Sequence, residues 1–127
     1  MDALDTMRAL ANKGEVITLQ QGDVLFKAGE TGSTMFGILE GSVRLTWTDS
    51  SAHDRHEDIH VGHIFGSGSL VVEDHCRLST ATARSFCRLI VMNREKFLFA
   101  VQEAPMFAVG LLASIEARLR DISMDGR

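Results

Sequence analysis

Short runs of alternating apolar and polar residues, separated by glycine turns, fill the chain from residue 15 to residue 92. Alternation with a period of two is typical of half-buried strands, and the glycines supply the positive φ angles of tight turns. We predict strands over residues 15–20, 24–26, 34–39, 42–48, 56–61, 79–86 and 88–92, the last two forming a hairpin that turns near Cys87. The stretch 49–55 is predicted to be an exposed loop. Many short strands at such intervals favour an antiparallel roll or barrel.

Both ends of the chain follow a helical period instead. Residues 2–11 predict a short amphipathic helix, and another helix is predicted from Arg94 to about Pro105. In the final segment, apolar residues step by four, three, four and three at Ala108, Leu112, Ile115, Leu119 and Ile122. The predicted fold is therefore mainly β, an antiparallel roll of about eight strands with one N-terminal and two C-terminal helices.

Length and charge narrow the classes of protein that fit. A chain of 127 residues suits a single domain, here residues 1–127. The net charge is −4 and the basic residues form no run, which argues against direct binding of nucleic acid. Neither a signal peptide nor an apolar run of roughly 20 residues is present, so no membrane contact is expected. Cys76 and Cys87 lack metal-ligand spacing and are expected to be reduced thiols in a cytoplasmic protein.

Three segments carry more specific motifs. Residues 22–44 contain GDVLFKAGE, then MFGI and GSV; residues 61–66 read VGHIFG; and Arg77 is followed by Ser79, Thr80 and Ala81. Together they resemble the cyclic nucleotide-binding domain of Crp/Fnr-type regulators, protein kinase A regulatory subunits and gated channels. The resemblance covers about Val16 to Ile122. It implies a regulatory rather than enzymatic function, and a short helix inside a phosphate-binding cassette.

The resemblance also implies which residues would hold a ligand. Arg77 takes the place of the arginine that grips the cyclic phosphate, since a guanidinium binds phosphate oxygens in bidentate fashion. Backbone amides of a short helix, capped by Ser67 or Ser69, would assist. The implied cassette residues are Phe65, Gly66, Ser67, Gly68, Ser69, Arg77, Leu78 and Ser79. Cyclic AMP or cyclic GMP would be the ligand, and no other cofactor is expected.

Two positions depart from the family's pattern. Ser67 stands where the family normally has a glutamate that accepts a hydrogen bond from the ribose 2′-hydroxyl, and Leu78 stands where Ser, Thr or Ala is usual. Losing a hydrogen bond to a charged group weakens binding by roughly 10- to 150-fold. Two hypotheses stay open. The cassette binds a cyclic mononucleotide or another small phosphate, or the pocket is degenerate and the domain is a dimerisation or docking surface.

The stripe from Ala108 to Ile122 permits two interpretations. It packs on the chain's own roll, or it pairs with a second copy. In the family's transcription regulators the corresponding helix is the dimer interface, so the resemblance implies a homodimer. Those proteins continue into a helix-turn-helix, whereas this chain ends at Arg127. We therefore expect no attached DNA-binding or catalytic domain, and output through self-association or an unidentified protein partner.

A metal site is the alternative raised by four nearby histidines, His53, His56, His60 and His63. On a strand, His56 and His60 would share a face with Asp58 between them. HxH does not occur, and residues 56–60, HEDIH, have the HExxH spacing on a predicted strand rather than on the helix where that motif binds zinc. The tight ligand set of a cupin-like metalloenzyme is missing. We therefore expect no metal and no catalytic residue. Cys76 is expected to fill space in a loop, the alternative being a thiolate perturbed by Arg77.

Overall fold

The computed structural model describes residues 3–10 and 15–125. The elements in this part of the chain are α1 (Ala3–Leu10), β1 (Val16–Leu19), β2 (Val24–Phe26), β3 (Thr34–Glu40), β4 (Val43–Thr48), β5 (Asp54–Ile59), β6 (Ile64–Phe65), α2 (Gly68–Val71), β7 (Thr80–Ala83), β8 (Cys87–Asn93), α3 (Arg94–Glu103) and α4 (Pro105–Asp125). This order confirms the predicted fold class, including the short cassette helix, here α2. The predicted ends of the first helix, Asp2 and Ala11, lie outside the described residues.

The strands form two four-stranded antiparallel sheets with the orders β1-β8-β3-β6 and β2-β7-β4-β5. Residues 35–38 of β3 are all buried. Since successive side chains point to opposite sides of a sheet, β3 is buried on both of its faces. Phe36 and Ile38 belong to the core between the two sheets, together with Leu45 of β4. Met35 instead joins a second core with Phe107 of α4, where the helices cover the outer side of the first sheet. The helices and the roll are therefore joined through β3.

The predicted hairpin over residues 79–92 is wrong. Strand β7 pairs with β2 and β4, while β8 pairs with β1 and β3, so the two strands lie in opposite sheets. The segment 84–86 crosses from one sheet to the other. Alternation marks a strand but carries no information about its partner, so the sequence pattern could not separate a hairpin from a crossover.

The boundaries of β5 also differ from the prediction. The strand begins inside the predicted loop because Asp54 already pairs with Thr48, and it ends at Ile59, before His60 and Val61. The tight turn before it is closed by Asp49, whose Oδ1 accepts hydrogen bonds from the backbone amides of residues 51 and 53 at 2.9 and 3.0 Å. An Asx-type turn thus shortens the loop and lengthens the strand.

Within the described residues, no single helix is long and apolar enough to cross a membrane. One pair, α3 with Pro105–Arg120 of α4, reaches that length and composition only when taken together, across a bend of 111°.

Candidate functional site

A cavity of about 250 Å³ lies between the cassette and α4. Its walls come from the roll, the cassette and the helix: Phe26, Leu45, Gly66, Ser67, Gly68, Ser69, Cys76, Arg77, Leu78, Ser79, Ile115, Arg118, Leu119 and Ile122. All the residues implied for the cassette line it except Phe65. That side chain is fully buried in the roll, with its ring centroid 5.4 Å from the Phe36 ring. Phe65 therefore supports the cassette from beneath.

Arg77 is buried to 5% exposure and is held by the chain itself. Its Nη1 donates to the carbonyl oxygen of Gly66 at 2.8 Å, and its Nη2 donates to the carbonyl oxygen and the Oγ1 of Thr34 at 2.8 and 3.1 Å. The guanidinium carbon lies 4.2 Å from the ring centroid of Phe26, a cation–π contact. Arg77 thus ties the cassette to the start of β3.

Two glycines make room for this guanidinium. A Cβ on Gly32 would lie 2.1 Å from Nε of Arg77, and a Cβ on Gly66 would lie 3.0 Å from its Nη1. Gly66 also has a φ of +82°, which disfavours other residues. The backbone of Arg77 is fixed as well, since its N–H donates to Glu30 at 2.8 Å and its carbonyl accepts from Gly29 at 2.8 Å. The glycine-rich loop 28–33 therefore contacts the side chain of Arg77 and binds its backbone.

The charge of Arg77 is not balanced by a close carboxylate. No ion pair includes it among the described residues. Its Nε is the one buried side-chain nitrogen or oxygen in this part of the chain that lacks a hydrogen-bond partner. Burial lowers the pKa of Arg77 from its ordinary value, and the nearby Glu30 carboxylate opposes that effect. An anion in the cavity would compensate this desolvated cation.

The cassette helix α2 begins differently from the expectation. Ser67 occupies the N-cap position but has helical angles, φ −70° and ψ −22°, and makes no side-chain capping bond. A capping side chain normally projects from extended backbone, so this conformation keeps the hydroxyl away from the first amides. Ser69 lies inside the helix, and its Oγ donates to Gly66 at 3.4 Å. The prediction that either serine caps α2 through its side chain is wrong.

The second departure from the family's pattern, Leu78, is 80% exposed and lies at the rim of the cavity. Its neighbour Ser79 is half-buried and lines the same cavity. A leucine at this place has no side-chain donor for a phosphate, so the donors on this side are Arg77 and the serine hydroxyl.

Sequence reasoning missed a second arginine in the cavity, Arg118 of α4. Its Nε and Nη2 donate to the two carboxylate oxygens of Glu57 at 2.8 and 2.9 Å, and its Nη1 donates to the carbonyl of Ile64 at 3.3 Å. The signal was its spacing: Arg118 follows Ile115 by three residues and precedes Ile122 by four, so it shares their helix face. A cation within an apolar stripe marks a place where the helix meets a polar partner.

The predicted apolar stripe on α4, from Ala108 to Ile122, is divided between two environments. Ala108, Ile115 and Ile122 are half-buried, and the latter two line the cavity. Leu112 and Leu119 are 63% and 54% exposed. Part of the stripe thus packs on the chain's own roll, and part remains on the surface.

The histidines lie apart from the cavity lining. His60 follows the end of β5, so it does not extend a strand face shared with His56, and its Nδ1 lies 3.5 Å from the Ser42 hydroxyl. Asp58 is bound by Arg44 at 2.8 Å and by Arg84 at 3.1 Å. Across residues 3–10 and 15–125, no group of three His, Cys, Asp or Glu side chains is placed to hold a metal.

Cys76 is a free, half-buried thiol at the wall of the cavity. Its Sγ lies 3.6 Å from the carbonyl oxygen of Arg77. The residue before it, His75, has a φ of +53° and places its Nδ1 2.8 Å from the carbonyl of Ser69. This left-handed turn directs the chain from α2 back to Arg77.

The family model described as "Cyclic nucleotide-binding domain" matches residues 16–104, more than half of the chain. The Cyclic AMP receptor protein of Thermus thermophilus is 29% identical over 106 residues, covering 83% of this chain and 49% of that protein. The cAMP-dependent protein kinase regulatory subunit of Dictyostelium discoideum is 27% identical over 93 residues, covering 70% and 28%. The chain therefore spans about half the length of the first relative and less of the second.

Among solved structures, the Thermus thermophilus Catabolite Activator Protein matches with a TM-score of 0.77 and 25% identity, covering 97% of this chain and 56% of that chain. The likeness therefore includes the helices as well as the roll. The match of the family model to residues 16–104 shows that the chain belongs to the cyclic nucleotide-binding domain family.

Proposed function

We propose that the chain is a non-enzymatic regulatory domain that binds a cyclic mononucleotide weakly in the cassette cavity and acts through self-association along α4. The observation that carries the proposal is Arg77, a buried guanidinium that makes no ion pair among the described residues and keeps one N–H without a partner. An uncompensated buried charge costs several kcal/mol, so a phosphate that supplies the counter-charge binds favourably. Gly66, Gly68 and the serines beside them allow close approach of its oxygens.

Weak rather than tight binding follows from Ser67. This residue is buried and lines the cavity at the position where the family normally carries the ribose-binding glutamate. A serine hydroxyl makes a neutral hydrogen bond to a ribose hydroxyl, and such a bond contributes less than one to a carboxylate.

Restoring the acid tests this account. We expect Ser67→Glu to bind cyclic AMP or cyclic GMP about 10- to 150-fold more tightly than the wild type, measured by calorimetric titration up to millimolar nucleotide. The matched control is Ser50→Glu, which adds the same charge at an exposed position in the turn before β5 and should leave affinity unchanged. Absence of saturable binding in both the wild type and Ser67→Glu would overturn the proposal.

A second candidate function follows from the bonds that Arg77 already makes. Three hydrogen bonds to Gly66 and Thr34 give the arginine a structural role without any ligand. In this alternative the cassette has lost its nucleotide and the domain is an interaction module. The same titration separates the two, since only the first candidate gives saturable binding.

Self-association is supported by the exposed side of α4. Leu112 and Leu119 are exposed and stand seven residues apart, with Val109 (53% exposed) one turn before Leu112. Such spacing places them along one line of the helix, where a second copy can bury them.

We expect the wild type to sediment with the mass of two chains at tens of micromolar, and Leu112→Glu/Leu119→Glu to sediment as one chain, because two buried charges would face each other across the twofold axis. Val61→Glu, which changes an exposed valine outside α4, serves as the control and should remain a dimer. A monomeric wild type would contradict self-association and leave a different protein as the partner.

A further inference from the structure

The walls of the cassette cavity are strongly apolar outside the immediate surroundings of Arg77. Six large apolar side chains from the roll, the cassette and the last helix line it: Phe26, Leu45, Leu78, Ile115, Leu119 and Ile122. No Asp, Glu, Asn, Gln or His lies among the lining residues that the structure describes. Apart from two arginines, the polar side chains of the walls are therefore three serine hydroxyls and one thiol.

The cavity carries one cation whose charge the chain leaves uncompensated. Two arginines line it, and Arg118 is paired with the carboxylate of Glu57 at 2.8 Å. Arg77 is 5% exposed and makes no ion pair within residues 3–10 and 15–125. A buried charge is costly unless it is paired, so a ligand with a single negative charge suits this cavity.

The hydrogen-bond donors that Arg77 has left match one carboxylate. A guanidinium has five N–H donors. The bonds to Gly66 and Thr34 use at most three of them, and the Nε has no partner in the part of the chain that the structure describes. At least two donors remain, and two is the number that a carboxylate accepts from a guanidinium in bidentate fashion.

A nucleotide brings more polar groups than these walls can satisfy. Its sugar hydroxyl and its base edges need hydrogen-bond partners when they are buried, and an unmatched group costs binding free energy. Ser67 supplies only a hydroxyl, and the opposite wall presents Leu45, Ile115 and Ile122. An anion with an apolar body has no such groups, so its charge can lie at Arg77 while its body is removed from water by the apolar walls.

We propose that the cavity binds an amphiphilic monoanion, a medium-chain alkanoate, with its carboxylate at Arg77 and its alkyl chain between the roll and α4. The inference goes beyond the proposed function, because it gives the cavity a second class of ligand besides cyclic mononucleotides. The two ligands would compete, since both place their anionic group at Arg77.

The first test is calorimetric titration of the wild type, up to millimolar ligand, with butyrate, hexanoate and octanoate. The affinity is expected to rise about fourfold for each methylene group that the cavity buries. 1-Octanol has the chain of octanoate without its charge and is expected to bind at least about tenfold more weakly, because it cannot neutralise Arg77.

Variants at the two ends of the cavity locate the ligand. Arg77→Met removes the charge but keeps an apolar side chain beside Phe26, and should abolish the preference for octanoate over 1-octanol. This preference is a ratio of two affinities in one sample, so it does not depend on the folded fraction. Leu119→Asn changes a lining residue that is 54% exposed and should weaken octanoate binding by about 3- to 10-fold. Leu98→Asn, 45% exposed on α3 and outside the lining, should bind like the wild type.

Absence of saturable octanoate binding, equal affinities for octanoate and 1-octanol, or a preference that survives Arg77→Met would overturn the inference. An equal loss in Leu98→Asn and Leu119→Asn would also overturn it, because the alkyl chain would then bind exposed apolar surface rather than the cavity. None of these results decides the proposed function, which depends on the cyclic nucleotide titrations alone.

Discussion

Arg77→Ala is expected to abolish saturable binding of cyclic nucleotides and also to lower the free energy of unfolding by about 2–4 kcal/mol. Under the proposed function, binding is lost because the phosphate loses the guanidinium that would donate to it. The loss of stability follows from the inward bonds of the guanidinium, because the carbonyls of Gly66 and Thr34 would both lose their donor. The ring of Phe26 would lose its cation, and a space would open beside it.

Urea unfolding followed by the fluorescence of the single tryptophan, Trp47 in β4, measures the stability, and calorimetry measures the binding. Arg77→Lys keeps the charge but lacks the planar fork, so it should recover part of the phosphate affinity and little of the stability. Arg84→Ala removes an arginine that is 41% exposed and paired with Asp58, and should change stability by about 1 kcal/mol or less. If Arg77→Ala unfolded like the wild type and still bound nucleotide, the double role of this arginine would be wrong.

Gly41→Ala is expected to cost about 3–5 kcal/mol, a large share of the stability of a small domain. Gly41 turns the chain from β3 to β4 with a φ of +91°. A Cβ there would lie 2.2 Å from the carbonyl oxygen of Phe86 and 2.9 Å from Sγ of Cys87. Phe86 O is backbone in the 84–86 crossover, so relief requires the two sheets to shift.

Gly22→Ala is the matched control for this prediction. Gly22 has the same φ of +91°, but a Cβ would meet nothing within 4 Å. Its cost should therefore be the backbone strain alone, about 1–2 kcal/mol. Urea unfolding of both variants gives the difference, which isolates the clash. If the two variants lost the same free energy of unfolding, the 84–86 crossover would have moved away from the added Cβ, and the prediction of a clash at Gly41 would be wrong.

The residues that define strands were readable from the sequence because alternation and glycine turns are local properties. The partner of each strand could not be predicted in this way. Residues 79–86 and 88–92 have the sequence pattern of a hairpin, but β7 and β8 pair with distant strands and therefore lie in different sheets. The start of β5 was predicted as a loop because its residues are polar. It is an edge strand, and such strands tolerate charged residues on their surface.

The cassette was located by a family resemblance carried by three sequence segments, residues 22–44, residues 61–66 and Arg77 with residues 79–81. The inward orientation of Arg77 could not be predicted from the sequence because its partner Thr34 lies on β3, 43 residues earlier in the chain. The Glu57–Arg118 pair was missed for the same reason: its two halves are brought together only when α4 docks on the roll. Ser67 shows a different limit, since the residue type suits a cap but the backbone there is helical.

The antiparallel pairing of β1 with β8 has a consequence for the order of folding. Val16 finds its partner in Ile90, and β3, at the centre of the same sheet, also pairs with β8. Strands separated so far along the chain meet only after a long loop has closed, which slows folding compared with local pairings. During synthesis the first sheet cannot assemble until β8 has left the ribosome. The cavity, which needs α4 as its wall, is completed later still.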